Sequence, residues 1–211
     1  MPKLYTMPGT CALACNIAIA WLDAPVEVVA MEYGDHKKDA FLKLNDKGKV
    51  PAVEMDDGDV LTEAAAILAW LGATYGSDEY ARNGKLGMRE AEALSYLTSE
   101  VHAVYGPHFA AQRFAKGESC QEEVKQAAYR TLAGHYRRID ETLKENGGIW
   151  YLGERSFADA YVYVVSRWIE QTPLEIDDYP ALRSFRDRLE QDEGVLKALK
   201  RQKMEPVGPK A

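Results

Sequence analysis

The sequence predicts a small α/β domain followed by an all-helical one. Strand signals crowd into residues 1–75 and then stop, helical periodicities fill the remainder, and a polar Gly/Ser/Asp/Asn stretch from Gly76 to Gly84 lies between. The expected boundaries are 1–76 for the first domain, 77–84 for a linker and 85–211 for the helical domain. Lys3–Thr6 reads as a strand closed by Pro8-Gly9. Thr10–Leu22 carries Leu13, Ile17, Ala20 and Trp21 at helical spacing, with Thr10 placed to cap it. Val26–Met31 is apolar and β-branched, which completes a βαβ unit. Asp39–Leu44 suits a short helix. Pro51–Met55 and Asp59–Leu61 flank Asp56-Asp57-Gly58, a hairpin signal. A third helix, capped by Thr62, runs through Ala65, Ile67, Leu68 and Leu71 to Tyr75.

In the second half, Met88–Tyr105 forms a helix with Leu94, Leu97, Val101 and Val104 as its stripe, and Gln121–Asn146 forms another ending at Gly147-Gly148. Ser156 opens a third, whose residues from Phe157 to Trp168 leave almost no polar face, as expected of a central buried helix. Ser156 and Asp159 have capping-box spacing, so Asp159 is read as structural and not catalytic. Pro180–Gln191 and Val195–Lys200 are further amphipathic segments, and the tail after Met204 is expected to fray or lie along the surface.

Composition narrows the function. The chain has 211 residues, with 26 Lys and Arg against 33 Asp and Glu, a net charge of −7. At 46% hydrophobic and 28% charged it has the balance of a globular protein. Neither half has the basic surplus of a nucleic-acid binder. No apolar run reaches the roughly 18 residues of a membrane span. No basic region feeds an apolar one at the start, so no signal peptide is expected. Three cysteines make no disulfide framework, and the expected location is the cytoplasm. Within the acidic first half, five of the six lysines fall between Lys37 and Lys49, either a solvated loop or a site for a small anion.

Cys11 is the most suggestive residue for chemistry. It sits at the start of a helix, where unpaired N–H groups and the dipole favour a thiolate, its own or a neighbour's. Cys15 lies a turn further in and suits a buried apolar role. Val50-Pro51, after Lys47-Gly48-Lys49, could hold a cis bond that bares the backbone of Val50. Leu61-Thr62-Glu63-Ala64 passes from strand to helix, so the amides of Glu63 and Ala64 can meet an anion. The Glu63 carboxylate suits either an ammonium group on the same ligand or simply the positive end of the helix. Ser95, Ser99 and His102 are spaced to share one helix face. Cys11 with Cys15 lacks further ligands, and His102 and His108 fall on different faces, so no metal is expected.

Together Tyr5-Thr6-Met7-Pro8-Gly9-Thr10-Cys11-Ala12-Leu13, Lys47-Gly48-Lys49-Val50-Pro51-Ala52, Leu61-Thr62-Glu63-Ala64-Ala65-Ala66-Ile67, Ser99-Glu100-Val101-His102 and Gly153-Glu154-Arg155-Ser156-Phe157-Ala158-Asp159-Ala160-Tyr161 resemble the glutathione transferase family. They occur in the family's order over nearly the whole chain. The cysteine after Pro-Gly-x and the histidine on the long helix are most similar to the bacterial beta class. The resemblance implies a thioredoxin-like first domain, a helical second domain, a homodimer, and a glutathione site between domains. It also implies a small electrophile or disulfide as second substrate.

Carried over by position, the resemblance places Cys11 beside the glutathione sulfur and His102 facing it, with Tyr5 second to Cys11 as activator. Val50, before Pro51, would pair with the cysteinyl backbone. Glu63 and the Ala64 amide would take the γ-glutamyl end, with Thr10, Ser95, Ser99 and Glu100 nearby, and Lys37 or His36 would reach the glycine carboxylate. Ala64 stands where the family commonly has serine or glycine, and Ser95 where the beta class often has asparagine. Tyr105, His108, Phe109 and Trp168 are candidates for the acceptor site. The expected activity is conjugation of the glutathione thiolate to electrophiles, thiol–disulfide exchange through Cys11, or both. A non-catalytic binder on the same fold and a glutathione-dependent isomerase or dehalogenase are the alternatives.

Overall fold

The computed structural model describes residues 1–76 and 84–208, in two compact units: Met1–Met88 with Asp187–Ala211, and Arg89–Arg186. Residues 77–83, most of the expected linker, lie outside the described residues.

The first unit is built on a four-stranded sheet of β1 (Lys3–Thr6), β2 (Glu27–Ala30), β3 (Ala52–Glu54) and β4 (Val60–Thr62) in the order β2-β1-β3-β4. β1 pairs parallel with β2 and antiparallel with β3, and β3 pairs antiparallel with β4. Strand alternation sends Leu4 and Thr6 of β1 to the buried face and Tyr5 to the other, where its ring meets Phe41 edge-on at 5.8 Å. Phe41 lies in α2 (Asp39–Leu42), and with Met7, Met31 and Ala52 it forms a small core on that side.

Helices α1 (Ala12–Trp21) and α3 (Ala64–Tyr75) pack together. The expected caps are corrected. Thr10 makes a turn with Met7, its hydroxyl donating to the Met7 carbonyl at 2.7 Å, and Cys11 takes the cap position of α1. Thr62 ends β4, and Glu63 takes the cap of α3. In both places the chain turns one residue later than the Thr position suggests.

Every residue of α1 from Ala12 to Ile19 is buried, more than a one-faced helix needs. The reason is α10 (Glu193–Arg201), which returns to this unit and lies along α1. The Asn16 amide donates to the Ala198 carbonyl and accepts from Arg201, both at 3.0 Å. Trp21 Nε1 donates to Asp192 at 2.7 Å, and Asp192 also caps α10 through the Val195 amide. Burying Leu13, Ile17 and Ile19 contributes roughly 2 kcal/mol each.

The second unit contains α4 (Gly84–Tyr96) from Arg89 on, α5 (His102–Val104), α6 (Gly106–Ala110), α7 (Glu118–Glu145) and α8 (Phe157–Trp168). The expected single helix over Met88–Tyr105 begins earlier, and a π-helical stretch at Leu97–Val101 separates α4 from α5. There the hydroxyls of Thr98 and Ser99 donate to the carbonyls of Leu94 and Ser95 at 2.8 Å, supplying side-chain donors where helical geometry widens.

All twelve residues of α8 are buried, as its sequence predicts. Its capping box is formed: Asp159 accepts from the Ser156 amide and, with its other oxygen, from the Tyr151 amide, both at 2.7 Å. Asp140 of α7 accepts from the amides of Ala181 and Leu182 at the start of α9 (Pro180–Leu189). No described helix is long and apolar enough to cross a membrane.

Candidate active site

Strand register brings the candidate residues of the first unit to one end of the sheet. Tyr5 of β1 pairs with Ala52 at the start of β3, and Ala52 pairs with Thr62 at the end of β4. The Met7–Cys11 turn, Val50-Pro51 and Glu63-Ala64 therefore leave the sheet together. The turn depends on Gly9, whose φ of +76° is open to glycine at little cost. It delivers Cys11, 9% exposed, to the N-cap of α1, with Sγ 3.9 Å from the Val50 carbonyl oxygen. The Val50–Pro51 peptide is cis. Cys15 takes the apolar role: it is fully buried, its thiol faces the Ala64 carbonyl, and burial, then the nearby Cys11, pushes its pKa well up.

Tyr5 is engaged elsewhere. Its hydroxyl donates to Glu54 at 2.8 Å, a diagonal pair on one face of the β1/β3 ladder. Burial first, and then the Glu54 carboxylate, push its pKa up to about 12, so the phenol stays protonated at neutral pH.

The basic segment folds into a frame beside Val50. Buried Asn45 organises it, its amide donating to the Lys49 carbonyl at 2.7 Å and its carbonyl accepting from the Lys47 amide at 3.3 Å. Lys37 donates to the Gly48 carbonyl at 3.2 Å. Gly48 has φ +56°, and a Cβ there would come within 2.9 Å of the His36 carbonyl oxygen, so both conformation and space require glycine. His36 Nδ1 is buried without a partner among the described residues, while the Lys37 ammonium is engaged by Gly48.

Glu63 has φ +70° and ψ +120°, a conformation costly for a residue with a Cβ. It turns the carboxylate outward, where Lys47 binds it at 2.8 Å while also donating to the Thr62 hydroxyl at 3.1 Å. The Lys47 hydrogen bond lowers the Glu63 pKa against a smaller opposing effect of burial. A carboxylate that already holds one ammonium group is suited to hold another.

In the second unit, Ser95, Ser99 and Glu100 are exposed, and Ser99 bonds back to the Ser95 carbonyl. A π turn takes up one more residue than an α turn, so His102 does not continue their face. It turns onto α8, where Nδ1 lies 2.7 Å from the Tyr161 hydroxyl and the ring meets Trp168 edge-on at 4.9 Å. Tyr105, Phe109 and Trp168 form one aromatic cluster, Tyr105 stacking on Phe109 at 5.6 Å and touching Trp168 at 5.1 Å. Tyr105 and Trp168 are buried, whereas Phe109 is 53% exposed, so Phe109 and half-buried His108 form the cluster's surface and the other two back it. Among the described residues no group of three or more His, Cys, Asp or Glu is arranged to hold a metal ion.

Residues 4–79 match the family model for the glutathione S-transferase N-terminal domain, and residues 95–193 match that for the C-terminal domain. The chain belongs to the glutathione S-transferase family. It is 30% identical over 206 residues to Glutathione S-transferase GST-4.5 of Xanthomonas campestris, covering 93% of this chain and 97% of that protein. It is similar to the structure of a sphingomonad glutathione S-transferase complexed with glutathione, at 31% identity and TM-score 0.81, covering 95% of this chain and 98% of the other. The bacterial beta class glutathione S-transferase of Sphingomonas chungbukensis gives 31% identity and TM-score 0.78, with the same coverage.

Asn45 and Glu54 carry no role in the sequence analysis, although Asn45 has a local signal as the first residue of an Asn-Asp-Lys-Gly turn. Lys47 and Tyr161 stand there only within motifs, without the partners Glu63 and His102 that they bind.

Proposed function

We propose that the chain is a cytoplasmic, homodimeric, glutathione-dependent enzyme, with residues 1–76 as the glutathione-binding domain and 85–211 as the helical domain. It transfers the glutathione thiolate to small electrophiles and exchanges thiols with disulfides through Cys11. The observation that carries this reading is the Cys11 sulfur at the start of α1, beside the Val50 carbonyl. A helix N-terminus favours negative sulfur, and a backbone edge next to it can hold a peptide strand against that sulfur.

The roles follow from chemistry. Val50 offers its backbone to the cysteinyl unit, and Cys11 holds the glutathione thiolate or forms a mixed disulfide with it. Glu63 takes the γ-glutamyl ammonium, displacing Lys47, while the Ala64 amide receives the neighbouring carboxylate. Lys37 or His36 meets the glycine carboxylate. Thr10 completes the polar surroundings on the first unit; on the second, Ser95, Ser99 and Glu100 offer an exposed polar face and His102 a hydrogen-bonding group of the kind that suits sulfur. His108 and Phe109, backed by Tyr105 and Trp168, receive the electrophile. Tyr5, bound to Glu54 and protonated, ranks behind Cys11 as activator.

The test is retention on immobilised glutathione, followed by assays with an aromatic electrophile and with a small disulfide. Retention with turnover in either assay supports the reading. Retention without turnover in both supports a binding protein on the same fold.

A further inference from the structure

Each histidine of the second unit has a tyrosine hydroxyl at Nδ1: Tyr161 at His102, Tyr129 at His108 and Tyr96 at His135, at 2.7, 2.9 and 2.8 Å. His102 is set apart by what grips it. Tyr161 and Trp168 stand two turns apart on the same side of α8, a fully buried helix closed at its N-terminus by the capping box, and both meet the one imidazole. Tyr161 is 1% exposed, so its hydroxyl is fixed by packing as well as by the bond. The π turn at Leu97–Val101 ends immediately before His102.

We propose that Tyr161 is a positioning residue for His102: its phenol donates to Nδ1 and holds the imidazole in the tautomer that carries its hydrogen on Nε2. An imidazole nitrogen is a stronger acceptor than a phenol oxygen, so the shared proton belongs to oxygen. A neutral imidazole has one N–H, and engaging Nδ1 as acceptor assigns that hydrogen to Nε2. In this state Nε2 of His102 is a hydrogen-bond donor of the kind that suits a sulfur anion, and not a base toward a thiol. The inference rests on the glutathione reading above.

The experiment compares wild type and Tyr161→Phe by long-range proton–nitrogen NMR on the full chain with labelled histidine. Wild-type His102 is expected to show an unprotonated Nδ1 and a protonated Nε2. In Tyr161→Phe, which keeps the ring and the packing, both nitrogens should move toward the average of the two tautomers. Tyr96→Phe, the control, should move His135 and leave His102 unchanged. With glutathione and an aromatic electrophile, Tyr161→Phe should lower kcat about tenfold, the worth of one hydrogen bond, with KM for glutathione unchanged. A protonated Nδ1 in wild type, or an unchanged His102 spectrum in Tyr161→Phe, overturns the proposal. So does a wild-type rate in His102→Asn. Failure of the wild type to bind glutathione would instead remove the functional reading, while the spectra, which need no substrate, still decide the tautomer.

Discussion

The thiol of Cys11 lies 3.9 Å from the carbonyl oxygen of Val50, joining the start of α1 directly to the residue before Pro51. Cys15, one turn along, faces into the core with its pKa pushed up by burial. The two cysteines should therefore separate cleanly. Cys11→Ser should lower disulfide exchange by about a hundredfold or more while glutathione affinity changes only a few-fold. Cys15→Ala should keep both activities. Exchange rates and mass spectrometry of the glutathione adduct check this, and full exchange in Cys11→Ser would exclude a mixed disulfide at that sulfur.

Tyr5 gives its hydroxyl to Glu54 and is held protonated. Tyr5→Phe should keep conjugation within about twofold and cost about 0.5 kcal/mol of stability, the lower range for a hydrogen bond in a partly solvated place. Steady-state kinetics with urea unfolding tests both. A loss of a hundredfold in kcat would make Tyr5 the activator.

Stability should fall on mild acidification. Desolvation lowers the pKa of His108, with Lys125 adding to it, and desolvation also lowers that of His135, with Glu100 opposing and Arg138 adding. Both therefore sit below the ordinary value of 6.5 in the folded chain. As pH drops past that value the unfolded chain binds protons first, so the stability these groups contribute is complete above it and is lost as pH falls through the folded values. The urea midpoint should drop between about pH 7.5 and about pH 5.5, less so in a His108→Gln, His135→Gln double variant. Equal slopes would place the acid sensitivity elsewhere.

Gly194, in the first turn of α10, lies against Trp21. An added Cβ would fall 2.9 Å from the indole nitrogen, which is itself bonded to Asp192. Gly194→Ala should cost about 2 kcal/mol by overpacking, although alanine is the better helix former. Urea unfolding followed by tryptophan fluorescence measures it, and a stabilised variant would show that α10 shifts freely on α1.

Much of the fold was legible because its signals are local. β1, the hairpin around Asp56-Asp57-Gly58 and the capping box of α8 each announce themselves within a few residues. The misplaced caps at Thr10 and Thr62 show the limit: a hydroxyl near a helix start says little about whether the chain first makes another turn. The π turn was hidden because one widened turn barely alters an apolar stripe. The return of α10 to α1 was signalled only by an α1 too apolar to have one buried face. At the site, Cys11 was visible from its place after Pro8-Gly9-Thr10. Its partnership with Val50, the Lys47–Glu63 pair and the Tyr161–His102 bond depend on register and packing between distant segments, which no local pattern records.

Titration calorimetry of the full chain with reduced glutathione, beside Glu63→Gln, tests the central claim most directly. The expected result is saturable one-site heat with a Kd in the range of about 1 μM to 1 mM typical of enzyme substrates, weakened about tenfold in Glu63→Gln. No saturable heat with the wild type, or an equal affinity in the variant, would contradict a glutathione site built on Cys11, Val50 and Glu63.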